Sequence, residues 1–213
     1  MTAPQNMDPP ETQAQGALIA ARAFLTTYAV PLALPGLPAV YFHSWTGSRA
    51  WKEGPEKLGY NRAINREKPA IDLIEKELAD PLSFRSLVLR GFEKLMEFRA
   101  AEAAFNPGVP CKVLAGAGAK GTDCGARGTD CGARGMDCGA RGMDCGGIFA
   151  LYRGQESSGA RGMDCGVICI QNFSPAEVQF DPGIASLGEI SVPGHGLCWL
   201  AFDSGGIRRE LVI

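Results

Sequence analysis

The reading of the fold turns on Leu34-Pro35-Gly36-Leu37-Pro38-Ala39-Val40-Tyr41-Phe42-His43-Ser44. Residues 37–42 are short, apolar and without alternation. That pattern predicts a strand buried on both faces, as in a parallel sheet, with Tyr41 and Phe42 in the core. Upstream, residues 12–30 predict a helix. Thr12 can cap it, and Ala17, Leu18, Ala21, Phe24, Leu25 and Tyr28 recur at helical spacing. Pro31 and Pro35 are expected to end it. Helix, short turn and buried strand make one unit of an α/β fold.

Downstream, residues 43–68 hold two Trp, one Tyr, three Gly and mixed charges with no sustained period. A long loop after the carboxyl end of a buried strand is where α/β proteins build their sites. Residues 69–79 predict a short helix with Pro69 near its start. Residues 81–105 predict a longer one, with Leu87, Phe92, Leu95, Met96 and Phe98 on the apolar face. Arg85, Arg90, Glu93, Lys94, Glu97 and Arg99 form the expected polar face. Asn106-Pro107-Gly108 stops it.

The texture then changes. Residues 112–115, 148–153, 167–173, 177–180, 189–192 and 197–202 are strand candidates set between Gly, Pro, Ser and Asp. They predict a small antiparallel β domain. The expected organisation is a flexible start over 1–11, a helical α/β part over 12–106 and a β domain over 107–213, with a boundary near 106–110.

With 46% hydrophobic residues and a net charge of −2 in 213 residues, the chain has an ordinary globular composition. The balance speaks against a nucleic-acid partner, which calls for a basic stripe. The apolar run over 29–42 carries three prolines and falls short of the roughly 20 apolar residues of a membrane span. No basic n-region or apolar h-region precedes residue 12. No membrane partner and a cytoplasmic location are therefore expected.

Five of the eight cysteines belong to one repeated phrase. Gly118-Ala119-Lys120-Gly121-Thr122-Asp123-Cys124 is followed by near copies ending at Cys131, Cys138 and Cys145, and a separate copy occupies 159–165. The heptad period does not signal a coiled coil, because each unit carries two glycines. Asp and Cys beside basic residues suggest metal binding, yet six residues separate successive cysteines, unlike the close pairs of zinc sites. The plainer reading is an expanded repeat tolerated in turns. Both insertions fall between strand candidates, and removing them leaves plausible hairpins joining 112–115 to 148–151 and 151–153 to 167–169. Long surface insertions cost little, since closure entropy grows only logarithmically. Cys169 and Cys198 sit in apolar runs and are read, with Cys111, as free thiols.

The opening stretch resembles the eighth-strand region of the α-amylase superfamily, glycoside hydrolase family 13. Gly47-Ser48-Arg49 and Asn61-Arg62-Ala63-Ile64-Asn65-Arg66-Glu67-Lys68 narrow the resemblance to the sucrose phosphorylase branch, which includes glucosylglycerate phosphorylases. Leu78-Ala79-Asp80-Pro81, Arg99-Ala100-Ala101-Glu102-Ala103-Ala104-Phe105, Gln171-Asn172-Phe173-Ser174 and Gly196-Leu197-Cys198-Trp199-Leu200 are similar to the same branch. The resemblance implies a fold of two parts, the last helix–strand–helix units of a (β/α)8 barrel and a small antiparallel β-sandwich domain.

It also implies a retaining transfer of glucosyl units between a glucoside and phosphate. The nucleophilic Asp, the acid/base Glu and the stabilising Asp of such enzymes lie on strands four, five and seven. No stretch of this chain matches those strands, so no catalytic residue is assigned and the chain alone is expected to be inactive. The missing barrel portion is then an expected partner. By the same resemblance Arg62 is assigned to phosphate or acceptor sugar, with Asn65 and Arg66 supporting the loop and Arg49 and His43 as further contacts. Arginine suits phosphate because its planar fork donates two parallel hydrogen bonds. Trp45, Trp51 and Tyr60 offer flat faces for a sugar or pack beneath the loop. No metal or organic cofactor is expected. Two other readings stay open: a non-catalytic β domain for interaction or carbohydrate binding, and a metal- or redox-responsive protein built on the cysteine repeat. A barrel piece on its own would expose the 37–42 edge and the apolar face of 12–30.

Overall fold

The computed structural model describes residues 10–114, 147–154, 165–184 and 186–213. Residues 1–9 and the repeat copies lie outside them, Cys165 excepted. The chain combines helices with antiparallel sheets, and its C-terminal part is β-rich. The helices are α1 (Pro10–Ala33), α2 (Phe42–Trp45), α3 (Gly54–Leu58), α4 (Ile71–Ala79) and α5 (Phe84–Ala101). The strands are β1 (Cys111–Val113), β2 (Ile148–Arg153), β3 (Gly166–Asn172), β4 (Val178–Phe180), β5 (Ile190–Val192), β6 (Leu197–Asp203) and β7 (Gly206–Val212).

Five strands form one antiparallel sheet in the order β1-β2-β3-β6-β7, and β4 pairs with β5. The side chains of β2, β3 and β6 are buried on both faces, and the two-residue period sorts them. Leu151, Val167, Cys169, Leu197, Trp199 and Ala201 pack against the helices. Ala150, Tyr152, Ile168, Ile170, Cys198, Leu200 and Phe202 pack against Phe180, Ile184, Ile190 and Val192 of the β4–β5 layer. Helices and sheet thus share one core. Both expected hairpins form: Val113 pairs with Leu151, and Leu151 with Cys169 and Arg153 with Val167.

α1 continues two residues past Pro31. Proline removes one backbone donor, and the freed carbonyls of the last turn find other partners. Arg99 donates to the Leu32 oxygen, and Arg153 donates to the Ala33 oxygen at 3.1 Å. The helix is long and apolar enough by composition to cross a membrane, but here Ala21, Leu25, Ala29, Leu32 and Ala33 are built into the core. Most of its apolar face is therefore covered, contrary to the expectation for an isolated barrel piece, while Leu18 stays exposed. α1 and α5 approach closely at Gly91, where a Cβ would sit 2.1 Å from Leu25 Cδ1. Ser83 caps α5, accepting from the Ser86 N–H at 3.1 Å.

Three further expectations are corrected. Residues 37–41 form no strand; the segment is irregular, and the helical turn α2 begins at Phe42. Leu37, Tyr41 and Phe42 are 90%, 56% and 63% exposed, so Tyr41 and Phe42 are not core. An apolar run becomes a buried strand only beside partner strands, and no described strand pairs with this one. Arg85 and Arg99, assigned to the polar face of α5, are both buried. β7 is an additional strand beyond those expected.

Candidate functional site

The 43–68 loop is closed by a few specific contacts. The Trp51 N–H donates to the Ile64 carbonyl at 2.7 Å. Gly54 lies so close beneath that a Cβ would stand 2.6 Å from the Trp51 ring and 2.8 Å from the Ala63 oxygen. Pro55 opens α3 and Gly59 ends it at φ 72°. The chain then enters a 3-10 turn over Asn61–Asn65, with Ala63 fully buried as its anchor.

Around that anchor Arg62, Asn65 and Arg66 all face solvent. Arg66 lies over the Tyr60 ring at 5.9 Å. Trp51 packs beneath the loop, with Lys57 and Lys68 ammoniums 5.8 and 5.7 Å from its ring. Trp45 stacks on Phe92 at 5.4 Å and belongs to the core boundary. Of the three loop aromatics, Tyr60 is the one left substantially exposed.

The loop is held to the helices by buried Arg85. Its Nε donates to Glu77 Oε2 at 2.7 Å, one terminal nitrogen to the Thr46 carbonyl at 2.6 Å and the other to Glu67 Oε2 at 3.4 Å. Glu67 also accepts from the Arg49 N–H at 2.9 Å, and the Arg49 guanidinium pairs with Glu77 at 3.4 Å. Glu67 follows Arg66 directly, so the clamp fixes where the Arg62–Arg66 turn leaves the body. In sequence Arg85 looks like any solvent-facing arginine; its value as a tie depends on acceptors brought from three separate segments.

His43 Nδ1 lies 3.1 Å from Ser48 Oγ, and Tyr28 Oη lies 2.5 Å from Ser44 Oγ. These residues, with Arg49 and Asn65, line a pocket of about 400 Å³ whose apolar walls include Phe24 and Tyr41. The structure therefore gathers three of the five expected residues, His43, Arg49 and Asn65, and leaves Arg62 and Arg66 outside the pocket wall. Tyr28, Ser44 and Ser48 were not expected there. Tyr28 was read as part of the apolar stripe of α1, which hides the placement of its hydroxyl at the stripe's edge. Among the described residues no group of three or more His, Cys, Asp or Glu is placed to hold a metal ion.

No family model matches the chain. It is 46% identical over 87 residues to a glucosylglycerate phosphorylase of Spirochaeta thermophila, across 41% of this chain and 15% of that protein. The glucosylglycerate phosphorylase of Escherichia coli is 42% identical over 84 residues, across 39% of this chain and 15% of its own length. That of Allomeiothermus silvanus is 36% identical over 91 residues, across 43% and 16%. These similarities bear out the resemblance to the sucrose phosphorylase-like branch. The chain covers less than a fifth of the curated relatives it matches.

Proposed function

We propose that this chain is the C-terminal segment of a retaining glucoside phosphorylase. Residues 12–106 supply the last units of a (β/α)8 barrel of the α-amylase type, and residues 107–213 supply the following antiparallel domain. The observation that carries this reading is the triple similarity to glucosylglycerate phosphorylases over a small part of their length. The complete enzyme moves a glucosyl unit reversibly between a glucoside and phosphate through a covalent glucosyl-enzyme. The carboxylates of that double displacement belong to strands outside this sequence, so the chain alone turns nothing over. The reaction calls for no metal or organic cofactor, and its reactants place it in the cytoplasm.

In this reading Arg62 meets phosphate or acceptor sugar, supported by Asn65 and Arg66, with Arg49 and His43 nearby. Exposed Leu37, Tyr41 and Phe42 favour a partner, the missing barrel portion, beside which residues 37–42 can pair as a strand. The test is a chimera in which this chain replaces the corresponding segment of an active glucosylglycerate phosphorylase. Phosphate-dependent release of glucose 1-phosphate from glucosylglycerate is expected, and Arg62→Ala should lower it about tenfold or more. A folded but inert chimera overturns the proposal.

The core shared by helices and sheet favours a second reading, a self-standing non-catalytic module for interaction or carbohydrate binding. It predicts a monodisperse, cooperatively melting monomer, whereas the first predicts self-association through residues 37–42.

A further inference from the structure

We infer that the groove between α1, α5 and the end of β7 is a second site, one that takes a small amphipathic carboxylate, an anionic head on a compact apolar body. It shares no residue with the pocket at the 43–68 loop and does not depend on the phosphorylase reading. The cavity holds about 290 Å³, at the lower end of the range for small-molecule pockets. α1 turns Leu18, Arg22 and Leu25 into it, and α5 turns Leu87, Arg90 and Lys94. Each set follows helical spacing, so each helix offers one cationic and apolar face to the same space. Gly91 lies between them, and a Cβ there would stand 2.1 Å from Leu25 Cδ1.

No Asp or Glu lines the groove. Arg22, half-buried, and Lys94, exposed, have no side-chain partner among the described residues. Arg90 is held in place from behind. Its Nε donates to Ser86 Oγ at 3.2 Å, and one terminal nitrogen donates to Ser86 Oγ at 2.7 Å and to the Pro81 carbonyl at 2.9 Å. Its other terminal nitrogen has no partner among the described residues. The terminal carboxylate of Ile213 is the one acidic group of the lining, against three cations. The Ile213 backbone is itself fixed, since its N–H donates to the Leu197 carbonyl at 3.1 Å. Val212 and Pro193 complete the apolar wall. Positive charge at the rim of an apolar cavity matches a monoanion with an apolar body. A carboxylate meets the guanidinium fork and carries one charge to desolvate. A phosphate dianion loses more hydration against such walls.

The test is calorimetric titration of the full chain with phenylacetate, phenethyl alcohol, acetate and inorganic phosphate. Phenylacetate should saturate and raise the melting temperature by linkage, and the other three should bind about tenfold or more weakly. In NMR spectra the Gly91 and Val212 amides should shift with phenylacetate. Arg22→Gln and Lys94→Gln should each weaken binding about fivefold, the loss of one charge-assisted hydrogen bond. Leu18→Glu, at an exposed position, sets a carboxylate at the rim and should abolish binding while the melting temperature of the free chain holds. Acetate or phosphate binding as tightly as phenylacetate means charge alone and overturns the inference. Equal binding of the alcohol means a plain apolar groove and does the same. So does a titration that never saturates, or binding that none of the three variants weakens.

Discussion

Arg153, fully buried on β2, donates to the carbonyl of Ala33 at 3.1 Å across 120 positions of sequence. Its other terminal nitrogen reaches the Asn106 and Val109 carbonyls at 3.1 and 3.3 Å. Arg99 donates to the Leu32 and Gly36 carbonyls, and both guanidiniums lie over the Phe105 ring, at 5.0 and 5.8 Å. Two cations thus close the carboxyl end of α1, where free carbonyls and the helix dipole favour positive charge. The pair has a cost. Burial first, and Arg153 second, lower the pKa of Arg99. Arg153 Nε is buried without a partner.

Arg153→Met should therefore destabilise the chain by about 2–4 kcal/mol, because three carbonyls lose their donor while the charge and the orphan Nε disappear. Arg153→Lys should recover only part, since one ammonium cannot reproduce a fork that reaches separate carbonyls. Urea midpoints measure both. A Met variant as stable as the parent means that the carbonyls are satisfied by water.

Arg85 holds the 43–68 loop by charge-assisted bonds to Glu67, Glu77 and Thr46. Arg85→Met should cost about 2–4 kcal/mol, less than a fully buried pair because both glutamates keep partial solvent access. Its sharper consequence is local. Arg62 and Arg66 are exposed cleavage sites for trypsin, and release of the loop should speed cutting there about tenfold at denaturant-free conditions. Mass spectrometry of timed digests reads this directly. Unchanged cutting after Arg62 and Arg66 means that Trp51 and Ala63, not Arg85, secure the turn.

The Cys198 thiol is pushed up to about 12, by burial first and by nearby Glu210 second. Its sulfur lies 4.0 Å from Glu210 Oε1. Burial raises fully buried Cys169 further than its neighbours Arg153 and Arg99 lower it. A raised folded-state value means that the native chain keeps its proton where the unfolded chain has lost it. Stability should hold below the ordinary thiol value of about 9 and fall as pH climbs from there towards 12. Cys198→Ala should flatten part of that slope in alkaline unfolding curves. Native-state alkylation near pH 8 should label exposed Cys165 and spare Cys169 and Cys198.

What the sequence disclosed follows from where local pattern and packing agree. β2 and β6 were legible because their apolar runs are flanked by turn residues and packed on both faces. β7 was not, since Arg208-Arg209-Glu210 interrupts any alternation and the pairing with β6 shifts register between Ala201 and Phe202. The 37–42 run was misread because apolarity marks a strand only where neighbours complete the ladder. His43, Arg49 and Asn65 were assigned through resemblance, and they line one pocket. Tyr28, Ser44 and Arg85 emerged only from tertiary convergence, which no spacing in the chain encodes.

The cysteine repeat should be dispensable to the fold. Its copies over 118–145 lie between β1 and β2, and the copy over 159–165 lies between β2 and β3. The flanking strands are paired up to the insertions. Leu114 N–H donates to the Ala150 carbonyl at 2.9 Å before the first. At the second, Arg153 pairs with Val167 and Tyr152 Oη donates to the Cys165 carbonyl at 2.7 Å. Removing 118–145 leaves Ala115-Gly116-Ala117-Gly146-Gly147, enough glycine for a short hairpin loop. Removing 159–164 keeps Cys165 as the acceptor for Tyr152. Shortening the first connection should stabilise the chain by about 1–2 kcal/mol through lower closure entropy. The double deletion should keep the same circular dichroism and melt at or above the parent temperature. A lower melting temperature means that the repeats pack on the body. Loss of stoichiometric zinc from the parent on deletion would revive the metal reading of the cysteines.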